Sequence, residues 1–240
     1  MKMLSVFFPV LNEADIVDAN VMKIYNFLKN HYEQSEIFIV DDGSTDSTSE
    51  KAKRLADCKG IKYVRFERGH SRRENLARSF KQANGDVVFF LDADMATDIS
   101  ILPDMIKKIG KFDIVIGSRY ITGSKTKREF SRHVISRIYN TFIRIYFGTK
   151  IMDHQCGFKA FKKSVLMDLV KSAGYDSTFK RGWFWDAEIL IRARRTGYKI
   201  VEIPVTWKSG DKSSFNFKNE LRMIPYMLKL RSELSKRVRK

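Results

Sequence analysis

Cysteine is scarce in this sequence. Its 240 residues contain only Cys58 and Cys156, and their spacing is not that of metal ligands. Reduced thiols, the default in the cytosol, are therefore expected. No window holds the ~18 unbroken apolar residues of a membrane-spanning helix, so no transmembrane segment is predicted. The apolar start at residues 1–8 is too short for a signal peptide and predicts a first strand.

Acidic residues are scarce in the second half of the chain. Residues 1–118 hold 17 Lys or Arg and 18 Asp or Glu, a net charge of −1. Residues 119–240 hold 28 and 10, a net charge of +18. The first half is balanced like an ordinary enzyme domain. The second half predicts a polyanionic partner, which could be nucleic acid, an anionic membrane or a phosphorylated substrate.

Short apolar runs alternate with helical patterns in the first half. Strands are predicted at residues 3–8, 36–40, 61–66, 87–91 and 113–117. Helices are predicted at residues 14–30, 47–56, 72–84 and 101–109. This alternation predicts an α/β fold with a mostly parallel sheet and helices on both faces. In such sheets, ligands bind beyond the carboxyl ends of the strands.

A triplet of the form Asp-x-Asp, residues 92–94, closes the fourth predicted strand. Residues two apart on a strand point to the same side, so both carboxylates can reach one ion. Oxygen ligands without Cys or His suit Mg²⁺ or Mn²⁺, which in turn would hold a diphosphate. A second acidic strand end at residues 40–44 favours this functional interpretation over a purely structural one.

The motifs at these strand ends, residues 9–13, 40–46 and 92–94, resemble those of glycosyltransferase family 2. Residues 117–120, 153–161, 185–188 and 202–207 are similar to the polyprenyl-phosphate and dolichyl-phosphate sugar synthases of that family. The resemblance runs from about residue 3 to residue 215 and implies a GT-A fold, a nucleotide-sugar donor and a metal cofactor, Mg²⁺ or Mn²⁺.

The resemblance also implies the residues of the site. Those for the donor are Pro9, Leu11, Glu13, Val40, Asp42, Arg72, Asp92, Ala93, Asp94, Asp186 and Lys212. Those for the acceptor phosphate are Arg119, Arg132 and Ser136. The metal ligands are Asp92 and Asp94, which together with Arg119 form the catalytic set.

Several of these positions also have structural interpretations. Glu13 suits the first turn of a helix, Asp42 a turn, and Asp186 a helix cap; Arg132 and Lys212 suit a solvated surface. Arg72 stands where relatives usually carry Lys in a Gly-Lys-Gly loop, but the glycines are missing.

The reaction implied is an inverting transfer of a sugar from a UDP- or GDP-sugar to the phosphate of a polyprenyl or dolichyl phosphate. A phosphate monoester has a second pKa of about 6 and is anionic at neutral pH, so no general base is needed. Ala96 stands where mannose-type relatives often have Gln, which favours the glucose-type branch. The sugar stays open.

Three alternatives are weighed against this hypothesis. A family 2 enzyme acting on a soluble or polysaccharide hydroxyl would need a carboxylate base and leaves the basic second half unexplained. A nucleic-acid-binding module lacks a recognised motif, so no nucleic-acid partner is expected. A nucleotidyltransferase lacks a Gly-rich phosphate loop near the start of the chain.

The domain prediction combines what the resemblance implies with the charge pattern. Residues 1–210 form the GT-A domain, with a nucleotide-sugar half at 1–118 and an acceptor half at 119–210, and residues 211–240 form a basic amphipathic tail. We expect the Phe130–Phe147 segment and the tail to lie on an anionic membrane, apolar faces down. The predicted location is cytoplasmic, peripheral on the cytoplasmic face, with an integral membrane partner subunit as an alternative anchor.

Overall fold

The computed structural model describes residues 3–67, 72–127, 129–176, 178–179, 181–208 and 222–237. Its strands are β1 (Leu4–Val10), β2 (Ser35–Asp41), β3 (Lys62–Arg65), β4 (Val87–Phe90), β5 (Ile114–Ser118), β6 (Lys125–Lys127), β7 (Lys159–Lys162), β8 (Ile200–Pro204) and β9 (Thr206–Lys208). Its α-helices are α1 (Val17–His31), α2 (Thr48–Lys59), α3 (Arg72–Ser79), α4 (Leu102–Lys108), α5 (Phe130–Phe147), α6 (Lys163–Ala173), α7 (Phe184–Arg195) and α8 (Ile224–Arg237).

The main sheet has seven strands in the order β3-β2-β1-β4-β7-β5-β8. Six strands run parallel, and β7 lies antiparallel between β4 and β5. The predicted α/β fold with a mostly parallel sheet is confirmed, and each predicted strand lies within two residues of an observed one. Strand β7 is not predicted by the sequence, because its four residues Lys-Ala-Phe-Lys form no apolar run.

Helices cover both faces of the sheet. Helices α1, α2 and α4 bury apolar residues such as Val21 and Leu102 against one face. Helices α3, α6 and α7 bury residues such as Leu166 and Leu190 against the other. A third apolar cluster joins α5, α7 and α8. The sheet is thus closed to water on both sides, as mostly parallel sheets require.

The two predicted halves share one sheet. Strand β5 pairs with β7 and β8, both of which lie beyond residue 118. Strand β4 pairs with β1 and β7. The nucleotide-sugar half therefore does not have a complete sheet of its own.

Helix α5 has the bounds predicted for this segment. It turns polar residues toward the protein and several large apolar residues outward. Its polar residues Ser136 and Asn140 are buried against the protein. Six large apolar side chains face outward, and these are Phe130, Val134, Ile135, Ile138, Phe142 and Ile145. The outer side of α5 is therefore an exposed apolar strip.

Helix α8 has the opposite arrangement. Its apolar residues Tyr226, Met227, Leu230 and Leu234 are buried against α5 and α7. The predicted tail, residues 211–240, is thus packed on the protein over the part that the structure describes. Residues 209–221, with Lys212, lie outside the described residues, and the boundary at residue 210 stays a prediction.

The hydropathy of the helices agrees with the sequence. Within the described ranges, none of them combines the length and apolar character needed to cross a bilayer.

Candidate active site

The predicted motifs meet at one edge of the sheet. Strands β1, β2, β4 and β5 run parallel, so their carboxyl ends lie on the same side. Because β7 is antiparallel, its first residue, Lys159, pairs with Phe90 at the end of β4. The loop before β7, residues 153–158, therefore lies beside the Asp-x-Asp triplet.

Two loops that are predicted to bind the nucleotide are joined by hydrogen bonds. The Asn12 N–H donates to Ser44 Oγ over 3.0 Å, and the Thr45 N–H donates to Asn12 Oδ1 over 2.8 Å. The Glu13 N–H donates to Thr48 Oγ1 over 2.8 Å. Asn12 has a φ of 55°, in the left-handed region that Asn tolerates better than most residues. These bonds fix the loop that carries Leu11 and Glu13.

The adjacent carboxylates Asp41 and Asp42 have different surroundings. Asp41 accepts hydrogen bonds from the Ser44 N–H and the hydroxyls of Ser49 and Tyr63. Although burial acts upward, these bonds hold the pKa of Asp41 below its usual range. Asp42 accepts from the amide of Asn75 on α3. Asp41 therefore holds the loop in place. Asp42 remains the candidate for contact with the nucleotide-sugar donor.

Not every predicted donor residue offers its side chain to this edge. The Val40 side chain is buried in the apolar core with Val88. Pro9 pairs with Val40 across β1 and β2 and is half-buried. A donor contact of Val40 would have to use its backbone.

The Asp-x-Asp loop is held in a tight turn. Asn20 of α1 donates to the Ala93 carbonyl over 2.8 Å. Met95 has a φ of 47°, a strained conformation for a side chain of its size, and the Ala96 N–H donates to Asp94 Oδ1 over 3.0 Å. Gly157 packs on the loop so closely that a Cβ there would collide with the carboxyl group of Asp92.

These carboxylates fit a divalent metal. Asp92 and Asp94 line one small pocket with Gly157 and Phe158. Loss of water and the neighbouring charge of Asp92 raise the pKa of Asp94, so a cation between them would be favourable. Within the described residues, no group of three or more His, Cys, Asp or Glu could hold an ion. An ion here would take its other ligands from water and a diphosphate, as Mg²⁺ commonly does.

Arg73 lies behind the Asp-x-Asp loop and was missed by the sequence analysis. Its Nη2 donates to Asp92 Oδ1 and its Nε donates to Asp186 Oδ2, each over 2.7 Å. Lys159 donates to the other oxygen, Asp186 Oδ1, over 2.8 Å. The sequence points to Arg72 instead, which begins α3 and whose side chain lies outside the described part of the structure.

The carboxylate of Asp186 is bound by two cationic side chains. It is 2 % exposed, and both of its oxygens accept from cations. Although burial acts upward, the charges of Arg73 and Lys159 hold the pKa of Asp186 below its usual range. Asp186 therefore remains an anion that binds two cations. Among the described residues, it makes no side-chain cap of α7, and its contact with the donor stays a prediction.

Arg119 is held by Asp153. Its Nε and Nη2 donate to the two carboxylate oxygens over 2.7 and 2.8 Å, and its backbone N–H donates to the same group over 3.0 Å. The charge of Asp153 raises the pKa of Arg119 although burial acts downward. The guanidinium stacks at 5.5 Å on Trp207 of β9. Its orientation is therefore fixed.

Tyr120 joins the predicted acceptor residues. Its hydroxyl donates to Ser136 Oγ over 2.7 Å, and the guanidinium groups of Arg119 and Arg137 lie 5.4 and 5.7 Å from its ring. Arg132 lies one turn before Ser136 on α5 and contacts Glu129 at 3.3 Å. The structure thus brings Arg119 and Ser136 together through Tyr120, which the sequence analysis did not assign.

The acceptor elements are bonded to the donor loop. The Lys208 N–H of β9 donates to the Ala96 carbonyl over 2.8 Å, and the Asp98 N–H donates to the Thr206 carbonyl over 3.0 Å. Trp207, between them, carries Arg119 on its ring. The two predicted functional groups of residues therefore form one site.

Two other titratable side chains near the site do not change protonation state at physiological pH. Burial lowers the pKa of His154 to about 3 and raises the pKa of the Cys156 thiol to about 11. His154 is therefore neutral at physiological pH and hydrogen-bonded to Thr149.

Comparisons with known proteins agree with this architecture. The sequence profile described as glycosyl transferase family 2 matches residues 5–170. The chain is 34% identical over 213 residues to glycosyltransferase AglD of Haloferax volcanii, covering 86% of this chain and 33% of that protein. It therefore spans a third of that relative's length.

Two further relatives are named for lipid phosphates. The dolichyl-phosphate beta-glucosyltransferase of Saccharomyces cerevisiae is 29% identical, with 88% of this chain and 68% of the relative covered. The dolichol-phosphate mannosyltransferase of Pyrococcus furiosus is 32% identical, with 85% of this chain and 56% of the relative covered.

The fold has solved counterparts. Glucosyl-3-phosphoglycerate synthase of Mycobacterium tuberculosis, in complex with uridine diphosphate, superposes with a TM-score of 0.69 at 18% identity, covering 96% of this chain and 80% of that one. That protein has also been crystallised with Mn²⁺ or Mg²⁺. Fold, motifs and sequence similarity thus agree, and the chain belongs to glycosyl transferase family 2.

Proposed function

We propose that this protein transfers a sugar from a nucleotide sugar to the phosphate of a polyprenyl or dolichyl phosphate, with a divalent metal, at a membrane surface. The relatives named for dolichyl phosphate support the acceptor. The solved structures that contain uridine diphosphate with Mn²⁺ or Mg²⁺ support the donor class and the metal.

The observation that carries this proposal is the engagement of Asp186. A sugar hydroxyl must lose a proton to attack, and the carboxylate nearest to the Asp-x-Asp loop on α7 has both oxygens bound by Arg73 and Lys159. A phosphate monoester, with a second pKa of about 6, needs no such base. The site therefore suits a phosphate acceptor better than a hydroxyl acceptor.

The acceptor phosphate would bind near Tyr120. Arg119 is pre-oriented by Asp153, so its planar guanidinium can meet a phosphate without reorganising. The hydrogen bond from the Tyr120 hydroxyl keeps the Ser136 side chain on the side of α5 that faces Tyr120. Arg132, whose side chain is 36% exposed, adds positive charge at the mouth of this group.

The donor would bind over the loops of β1, β2 and β4. Leu11, Glu13 and Asp42 would contact the nucleoside, and Asp92 and Asp94 would hold the diphosphate through its metal. A bound metal stabilises the negative charge of the leaving diphosphate. The acceptor phosphate would attack the anomeric carbon in line with the bond to the leaving diphosphate. That bond would break, and the configuration at the anomeric carbon would invert.

The outward face of α5 would lie on the membrane. Ile138 and Ile145 are 64% and 78% exposed, and Phe130 at the start of the helix is 81% exposed. Residues 119–150 carry eight basic residues against one acidic residue. An apolar strip edged by cations suits the boundary of an anionic bilayer, where each Lys or Arg contributes about 1 kcal/mol. The lipid chain of the acceptor would lie in the same membrane.

We place the protein on the cytoplasmic face. Its buried cysteine Cys156 is a free thiol, as is usual in a reducing compartment. An integral partner subunit could add to the anchor.

The test is a transfer assay with polyprenyl phosphate, a panel of labelled UDP- and GDP-sugars, and Mg²⁺ or Mn²⁺. One donor should give a chloroform-soluble, acid-labile product, which also names the sugar. Asp94→Asn should lower the rate more than about 100-fold, because the metal supplies several kcal/mol. Asp104→Asn, at an exposed position of α4, is the matched control and should be neutral.

Two outcomes would contradict the proposal. Transfer to a sugar hydroxyl in preference to the lipid phosphate would refute the acceptor. Equal rates for Asp94→Asn and Asp104→Asn would refute the role of the Asp-x-Asp triplet.

A further inference from the structure

Arg73 shares a carboxylate with the proposed metal site. Its side chain is 3% exposed, and its two hydrogen bonds reach Asp92 and Asp186. The guanidinium lies 5.5 Å from the Phe90 ring and 5.4 Å from the Trp183 ring, which fix its plane. Asp92, by contrast, has a side chain that is 41% exposed and accessible from the pocket.

The charges of this site nearly balance. Three carboxylates, Asp92, Asp94 and Asp186, face two cations, Arg73 and Lys159. The ionised site thus carries a net charge of −1. A divalent cation alone would reverse that charge to +1 in a partly buried place and would compete with Arg73 for Asp92 Oδ1. When a divalent cation binds together with a diphosphate, the negative charge of the diphosphate offsets the positive charge that the cation adds.

We infer that Arg73 makes metal binding at Asp92 and Asp94 dependent on the nucleotide. In the free protein, Arg73 occupies Asp92 and weakens its affinity for a cation. The diphosphate of the donor compensates the added positive charge, so that the metal and Arg73 can share Asp92. This inference rests on the proposed nucleotide-sugar donor, and Arg73 acts as a positioning residue for Asp92.

The inference predicts a coupling between two ligands, measurable without turnover. Mn²⁺ binding to the full chain is followed by the electron paramagnetic resonance signal of free Mn²⁺, with and without UDP or GDP. A titration of Mn²⁺ with nucleotide alone corrects for their own complex. The wild type should bind Mn²⁺ weakly alone and more tightly with one nucleotide.

Arg73→Gln should change that coupling. Without nucleotide, the variant should bind Mn²⁺ about tenfold more tightly, because one hydrogen bond between charged groups no longer competes. The enhancement by nucleotide should fall by about the same factor, because the Mn²⁺ affinity of the nucleotide-bound form should change little. Arg195→Gln, an exposed arginine in the last turn of α7, is the control and should match the wild type.

Arg73→Lys covers the case in which the glutamine variant does not fold. A lysine keeps the charge but cannot bind two carboxylates in the same plane, and the buried Asp186 should retain it in preference to the exposed Asp92. Its Mn²⁺ affinity without nucleotide should therefore also rise. Thermal unfolding of each variant verifies that the sample is folded.

The results separate the two claims. Folded Arg73 variants with unchanged or weaker Mn²⁺ binding would overturn the inference, even if lipid product is formed. A wild type that makes product but shows no coupling with either nucleotide would overturn it as well. Neither coupling nor product from any donor would count against the proposed function itself.

Discussion

Helices α5 and α8 come from the two segments with the largest excess of positive charge, yet they turn opposite faces to the protein. On α5, Ser136 and Asn140 point inward, and Ile138 is 64% exposed. On α8, Leu230 is 1% exposed, and Leu228 at 57% is its most exposed large apolar residue. Both helices are amphipathic in sequence. An amphipathic pattern therefore defines two faces and leaves open which of them the protein covers.

Partners decide the orientation. The Asn140 amide donates to the Ser136 carbonyl, and its oxygen accepts from the His154 N–H over 2.8 Å. The buried Asn140 oxygen needs a donor, and the loop before β7 supplies one at His154. Helix α8 has no comparable polar stripe over its described residues, and it packs by apolar contacts on α5 and α7.

The largest expected effect concerns the buried face of α8. Leu230→Ala should lower the free energy of unfolding by about 2–5 kcal/mol, because it leaves a cavity in the cluster between α5, α7 and α8. Leu228→Ala on the same helix should change it by less than about 0.5 kcal/mol. Urea unfolding measures both. Equal losses would mean that α8 does not bury the face described above.

The next effect concerns the outer face of α5. Ile138→Asp should weaken binding to vesicles with anionic lipid about tenfold or more, because burying such a side chain contributes about 1.5–3 kcal/mol. Its unfolding free energy should fall by less than about 1 kcal/mol, the cost of Asp in an exposed helix. Co-sedimentation at low salt measures the binding.

Asn30→Asp on α1 is the control for charge. It adds the same single negative charge at an exposed position of another helix. Its vesicle binding should stay close to that of the wild type. If the two variants lose binding equally, general charge rather than the apolar strip would account for adhesion.

The smallest effect concerns a tie on α8. Asp176 accepts hydrogen bonds from Lys229 of α8 and from the N–H groups of Thr178 and Phe179. Although burial acts upward, these contacts hold the pKa of Asp176 below its usual range. A carboxyl with a lowered pKa stabilises the fold above its usual range, near pH 4, and this stabilisation is lost as the pH falls through the folded value.

Asp176→Asn should therefore cost about 1 kcal/mol or less at pH 7 and nothing once the pH is below the folded pKa. Urea unfolding at pH 7 and near pH 3 measures the difference. A variant as stable as the wild type at pH 7 would show that α8 needs only its apolar face.

Much of the fold could be predicted because its signals are local. The apolar runs of β1, β2 and β4 and the bounds of α5 follow from periodicity in single segments. Strand β7 could not be found in this way. It is short and bounded by lysines, and only its neighbours β4 and β5 make it a strand.

The site was predicted where motifs carry the chemistry, and missed where side chains from distant segments meet. Asp92 and Asp94 were singled out by their spacing at the end of a predicted strand and by the resemblance. Arg73 binds residues 19 and 113 positions away, so no local pattern marks it. The pair Arg72-Arg73, in a loop where relatives usually have Gly-Lys-Gly, was the one available signal, and the resemblance led to the first of the two.

The antiparallel strand β7 also has a consequence for biosynthesis. As the chain leaves the ribosome, β4 and β5 are made well before residues 159–162, which join them in the sheet. Until then both strands present unpaired backbone edges, a feature that promotes aggregation. Lys159 can meet Asp186 only after α7, residues 184–195, has also been made. A nascent chain should therefore complete the predicted donor site late, after most of its length has been synthesised.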